Sequence, residues 1–120
     1  APSGGPLVQH SLVAMLEFVK QGKITLERAV EKISHAPALC LQVEKRGFIR
    51  KGYFADLVMV DLNDAWTVNK SNLLYHCGWS PFEGYTFSSK VLTTWVNGKV
   101  VYKNGSVVNG AKGSALTYSR

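Results

Sequence analysis

Cysteine is scarce in this chain: Cys40 and Cys77 are the two among 120 residues. Two cysteines cannot make the disulfide framework that staples small secreted domains. They fit buried free thiols in a reducing, cytoplasmic compartment. Long apolar runs are absent as well. Nothing approaches the roughly 20 residues of a membrane span, so no membrane partner is expected. The opening "APSGGPLVQH" has no signal-peptide pattern and no Met, so Ala1 reads as the edge of a trimmed or internal piece. Charge is also low, at 18% of residues, against about a quarter in ordinary domains. That shortage implies that part of the surface faces other protein.

Acidic residues are fewer than basic ones, eight against fourteen, which gives a formal net charge of +6. A basic balance raises the question of nucleic acid. The cations are scattered, however. The densest group, Lys45, Arg46, Arg50 and Lys51, is interrupted by Gly47, Phe48 and Ile49. It reads as a solvated turn in preference to a phosphate-binding patch, and no nucleic-acid partner is expected.

Catalytic patterns are missing too. The three histidines, His10, His35 and His76, have no second ligand at His-x-His or His-x3-His spacing. His10 lies near a helix start, and His35 precedes Pro37 where a helix begins. His76 and Cys77 would point to opposite faces of a strand. Asp56 and Asp61 bracket an apolar run, as turn residues do. There is no Gly-x-Ser-x-Gly elbow and no phosphate loop. The residues therefore offer no catalytic group and no metal ligand.

What is present divides at about Val43. "APSGGP" is a loop. In "LVQHSLVAMLEFVKQG", Val8, Leu12, Met15, Leu16 and Val19 form one apolar stripe at helical spacing, and Gly22 is a natural stop. Thr25 is a plausible N-cap for "LERAVEKI". "SHAPALCLQV" predicts a third short helix, with Pro37 in its first turn. Strand signals then take over. "ADLVMVD" predicts a strand buried on both faces. Asn97-Gly98 and Asn104-Gly105 predict tight hairpin turns. "CGWSPFEGYTF" carries four aromatics and predicts an ordered loop docked on another surface. The first helix offers more apolar area than its short neighbours can cover, which points to a missing partner. The loop "APSGG" is the best binding candidate, since glycines let a backbone approach a ligand and helix-start amides attract anions. The plainer alternative is an interdomain loop.

The stretch Gly47 to Asp61, of the form Gly-Phe-Ile-x5-Ala-Asp-Leu-Val-x-Val-Asp, resembles the closing signature of the amidohydrolase superfamily. "SHAPALCLQV" is similar to that family's Ser-x-x-Pro-Ala helix. "APSGGPLVQHSLVAMLE", "GWSPFEG" and "SSKVLTTWVNGKVVYKNG" resemble dihydroorotases of the bacterial type. The resemblance implies an α+β chain: the terminal helices of a metal-dependent (β/α)8 barrel, followed by strands of the amidohydrolase β-sandwich. Residues 1–43 would be substrate loop and barrel helices, 44–108 the sandwich part and 109–120 a loosely ordered tail. In that frame Asp56 to Asp61 is a central strand, and Gly47 and Gly52 turn the chain from barrel to sandwich.

The implied activity is zinc-dependent, reversible hydrolysis of dihydroorotate to N-carbamoyl-L-aspartate in pyrimidine biosynthesis. The zinc ligands and catalytic aspartate would lie upstream of Ala1, so this chain alone is expected to be inactive. Pro2, Ser3 and Gly4 match the loop that closes over substrate through backbone contacts. Ser3 stands where bacterial relatives often carry an aromatic, which argues for a backbone role. Implied partners are the substrate, the rest of the parent polypeptide and a second copy in a homodimer. Alternatives are a non-catalytic dihydroorotase-like scaffold subunit, or another cyclic amidohydrolase such as an allantoinase or hydantoinase.

Overall fold

A computed structural model describes residues 4–110 and 112–119. Helix α1 spans Ser11–Lys20 and buries Val13 and Leu16, while Val8 of the expected stripe lies outside the helix and is exposed. It ends in two interlocked hydrogen bonds, Gly22 N–H to Val19 O at 2.9 Å and Lys23 N–H to Phe18 O at 2.9 Å. Gly22 at φ +70 supplies the left-handed residue that this termination requires.

Thr25 caps the next helix as the sequence indicates, its hydroxyl accepting from Arg28 N–H at 3.2 Å. Helix α2 (Leu26–Val30) does not end before the third helix. It passes through a π turn, Glu31–His35, into α3 (Ala36–Cys40). Ala36 N–H reaches back to Glu31 O across the widened turn. The turn sits directly before Pro37, whose missing amide already interrupts the regular ladder.

Gly47 then lies against this helical run. A Cβ there would stand 2.4 Å from Ala38 Cβ and 2.8 Å from Ser34 O, so only glycine permits the approach. Beyond it, the Phe48 ring meets two flat partners. His35 stacks on one side at 4.4 Å between centroids, and the Arg50 guanidinium lies 4.2 Å from the ring.

Among the described residues six strands follow: β1 Leu57–Asp61, β2 Trp66–Thr67, β3 Thr86–Phe87, β4 Lys90–Val96, β5 Lys99–Lys103 and β6 Ser106–Val107. Together with the helices they make the α+β architecture that the sequence implied. The larger sheet has the order β1-β4-β5-β6, all antiparallel, and β2 pairs with β3 separately. Both hairpins form where the Asn-Gly pairs stand. Asn97, Gly98, Asn104 and Gly105 all take positive φ, as two-residue turns of this hand require.

Strand β1 departs from expectation. It is an edge strand in the described sheet, not a central one, and Leu57, Val58 and Met59 are exposed instead of buried on both faces. The apolar run records what the strand is built to touch, and the described residues do not supply that surface.

Three further readings change. Arg46 is not a solvated turn residue. It is buried, pairs with the Asp56 carboxylate, donates to Asn97 Oδ1 at 2.9 Å and to Ser114 Oγ at 3.3 Å, and lies over the Phe54 ring at 4.2 Å. Asp56 also accepts from Asn97 N–H at 2.8 Å. One guanidinium thus ties the crossing segment, the hairpin turn and the C-terminal stretch together. Cys40 and Cys77 are free thiols but exposed, not buried. The C-terminal stretch carries backbone pairing: Glu44 N–H donates to Thr117 O at 2.9 Å, and Ser119 N–H to Gln42 O at 3.0 Å. Among the described residues, no helix is long and apolar enough to cross a membrane.

Candidate functional site

Of the three sequence-derived substrate-loop residues, Pro2 and Ser3 lie outside the described residues. Gly4 is exposed at φ +83, with nothing within 4 Å of a Cβ built there. The chain then turns into α1 through Leu7, whose carbonyl accepts from His10 N–H at 3.0 Å and from the Ser11 hydroxyl at 2.8 Å. Among the described residues no side chain caps the helix start, and no acidic residue stands in its first turn.

The loop's exit is bound to a distant segment. Gln9 uses its amide at both ends: Nε2–H donates to Asn72 O at 2.8 Å, and Oε1 accepts from Leu74 N–H at 2.9 Å. Its backbone N–H donates to the Tyr75 hydroxyl at 2.9 Å. The receiving segment is itself ordered by a short 3-10 turn, Lys70–Asn72, closed by a reciprocal cap between Asn69 and Asn72.

His10 is the residue that sequence reasoning passed over. It is fully buried. Its ring stacks near Trp66 and Phe87, both at 5.9 Å, with Tyr75 and Phe82 edges at 5.6 Å. Nδ1 lies 3.2 Å from the Tyr75 hydroxyl and 3.4 Å from Ser80 Oγ. The Tyr75 oxygen already accepts from Gln9, so its own proton is free for Nδ1. This pattern fits a neutral imidazole protonated on Nε2. Nε2 itself is buried without a hydrogen-bond partner among the described residues. Burial lowers the His10 pKa, and it raises that of Tyr75, against the opposing hydrogen bonds at Gln9 and His10.

The aromatic segment "CGWSPFEGYTF" packs on this helix start. Val13, Val68 and Phe87 form the buried core cluster, with Ala14, Trp66, Leu73, Phe82 and Val91 against it. The expected docking surface is thus α1 and His10, although Trp79 remains exposed. One turn further on, Glu17 accepts from the Ser88 amide at 2.6 Å and from the Ser88 hydroxyl at 2.5 Å. Burial pushes the Glu17 carboxyl up, but these hydrogen bonds and Lys20 outweigh it and hold the pKa below its ordinary value. The only sequence signal for the His10 environment was a histidine at a helix start in a chain with an unusually aromatic loop.

Among the described residues, no three His, Cys, Asp or Glu side chains converge as metal ligands. His35 stacks on Phe48, and His76 is exposed. These residues do not fit a zinc centre, and no step through a metal is assigned to them. Between α1 and the larger sheet lies an apolar groove of about 1000 Å³, lined by Val8, Leu12, Val58, Val91, Val101 and Val107 among others.

Comparison with known proteins places these features in a lineage. A profile described as amidohydrolase family matches residues 7–102, which includes α1, the Gly47 to Asp61 stretch and the aromatic segment. A dihydroorotase of Pyrococcus furiosus is 32% identical over 114 residues, covering 95% of this chain and 27% of the relative. A dihydroorotase of Halobacterium salinarum is 35% identical, covering 89% of this chain and 25% of the relative. Among solved structures, the L-hydantoinase (dihydropyrimidinase) of Arthrobacter aurescens superposes with a TM-score of 0.80 at 32% identity, covering 90% of this chain and 24% of that one. The chain therefore spans about a quarter of the length of the relatives it matches. Matched along residues 7–102, through the Gly47 turn and strand β1, this chain belongs to the amidohydrolase family.

Proposed function

We propose that the chain is the C-terminal part of a dihydroorotase. Its parent polypeptide would open the dihydroorotate ring reversibly to N-carbamoyl-L-aspartate, in the cytoplasm and as a step of pyrimidine biosynthesis. The carrying observation is the likeness to dihydroorotases along 95% of the chain. The exposed apolar face of β1 and the groove beside α1 support the same reading, since both call for further polypeptide. Residues upstream would hold zinc, which when bound would supply Lewis-acid polarisation of the scissile amide and an activated water. This chain's part would be the substrate loop, Pro2, Ser3 and Gly4, offering backbone groups to the ring. A homodimer of the parent is compatible with this arrangement.

A second reading has its own support. The superposed structure is a hydantoinase, and its identity to this chain equals that of the Pyrococcus dihydroorotase. The parent polypeptide, purified with zinc, should be assayed against dihydroorotate, hydantoin, dihydrouracil and allantoin. Turnover with dihydroorotate as the best substrate is expected. Preference for hydantoin or dihydrouracil would overturn the substrate assignment, and no turnover of any of them would favour a non-catalytic scaffold. The 120-residue chain by itself should give no turnover above a zinc blank.

A further inference from the structure

Resting on the reading of residues 1–5 as a substrate loop, we propose that Gln9 and His10 are positioning residues for that loop, with Tyr75 as the latch that joins them. Residues 4 to 8 make no hydrogen bond to a described residue beyond Ser11. Among the described residues the first tether to a distant segment is Gln9, and it is a triple one, reaching 63 to 66 residues along the chain to Asn72, Leu74 and Tyr75. The next residue, His10, is locked among Trp66, Phe82 and Phe87. The Tyr75 hydroxyl serves both, accepting from Gln9 and facing His10 Nδ1.

The consequence is mechanical. Four residues separate Gly4 from Gln9, a span of at most about 18 Å when extended. Within that span the Leu7 carbonyl is bonded to His10 N–H and the Ser11 hydroxyl, so a shift of Gln9 and His10 carries this turn with it and moves the loop's exit. Recognition through backbone groups depends on where those groups point, because a backbone cannot re-aim as a side chain does. The groups that perform the bond cleavage lie elsewhere, so loosening the latch weakens substrate binding more than the chemical step.

The test uses the full-length parent polypeptide with zinc. Tyr75→Phe removes one hydroxyl and keeps the ring. It should raise KM for dihydroorotate about fivefold, with kcat changed less than about twofold, as expected for one lost hydrogen bond that acts on binding. Gln9→Leu should do the same or more. His10→Leu should raise KM as well, and His10→Asn, whose amide oxygen lies near the Nδ1 position, should recover part of the loss. Hydrogen exchange supplies a readout independent of activity: the amides of Gly5, Leu7, Val8 and Gln9 should exchange faster in Tyr75→Phe, with the helix amides of Val13 to Lys20 unchanged. A lower Tm with unaltered KM and unaltered loop exchange would overturn the proposal and leave Tyr75 a packing residue. If the wild-type protein does not turn over dihydroorotate, the functional reading fails by itself. Faster loop exchange would then keep the latch and remove its link to substrate, while unaltered exchange would remove both.

Discussion

The aromatic cluster around His10 and the four-stranded sheet both draw on apolar stretches of sequence, yet they meet solvent in opposite ways. Phe87 is 1% exposed, enclosed by α1, Trp66 and Phe82, whereas Val58 and Met59 are each 46% exposed on an edge strand. The cluster buries its apolar surface within the described chain, although His10 Nε2 finds no partner there. The sheet and the groove beside it hold apolar surface that only another segment would bury. One region is a finished core, and the other is half of an interface.

The strongest way to break that contrast is truncation. Phe87→Ala should cost about 3–5 kcal/mol, the range for emptying a packed aromatic site. Met59→Ala should cost less than about 1 kcal/mol in the 120-residue chain, because its side chain is half in water already. Urea unfolding of both variants measures the difference. Equal losses would mean that the sheet is as well packed as the cluster.

A second comparison sets two glycines of the crossing segment side by side. Both have positive φ, +78 at Gly47 and +83 at Gly52, but only Gly47 has backbone and side-chain atoms where a Cβ would go. Gly52→Ala should cost about 1–2 kcal/mol, the left-handed penalty alone. Gly47→Ala should cost that and about 1–3 kcal/mol more, since the helix at Ser34 and Ala38 must move away. Thermal melts of the two variants distinguish a close approach from a simple turn.

The smallest effect is a titration. The folded pKa of His10 is lowered by burial, so the unfolded chain takes up this proton first as pH falls. The histidine's contribution is whole above its unfolded value of about 6.5 and is lost as pH drops through that value toward the folded one. The slope cannot exceed about 1.4 kcal/mol per pH unit for one group. His10→Asn should flatten that window in unfolding free energies measured from pH 7.5 to 5.5. Glu17, also lowered in the fold, acts in a separate window, with stability present above its unfolded value near 4.5 and lost as pH falls below it.

Local chemistry was legible in the sequence, and distant contact was not. Gly22, Thr25 and Asn97-Gly98 act within a few residues of themselves, so their types declare their roles. His10 and Arg46 take their meaning from partners such as Ser80, 70 residues away, and Ser114, 68 residues away. Neither spacing nor composition encodes such pairings. The β1 run was read correctly as apolar strand, but its burial depends on residues other than its own. The glycines of APSGG marked it as a binding candidate, but the role proposed for it toward substrate came through resemblance alone, and Gly4 has nothing within 4 Å of a Cβ built there.

Strand β1 has one more consequence. An uncharged Leu-Val-Met-Val stretch with a free edge is a template on which other chains can stack into cross-β aggregates. Asp56 and Asp61 stand at its two ends as gatekeepers, placing like charges beside one another in any in-register pile. Asp56 is already paired with Arg46, so its charge is largely offset and Asp61 carries most of that repulsion.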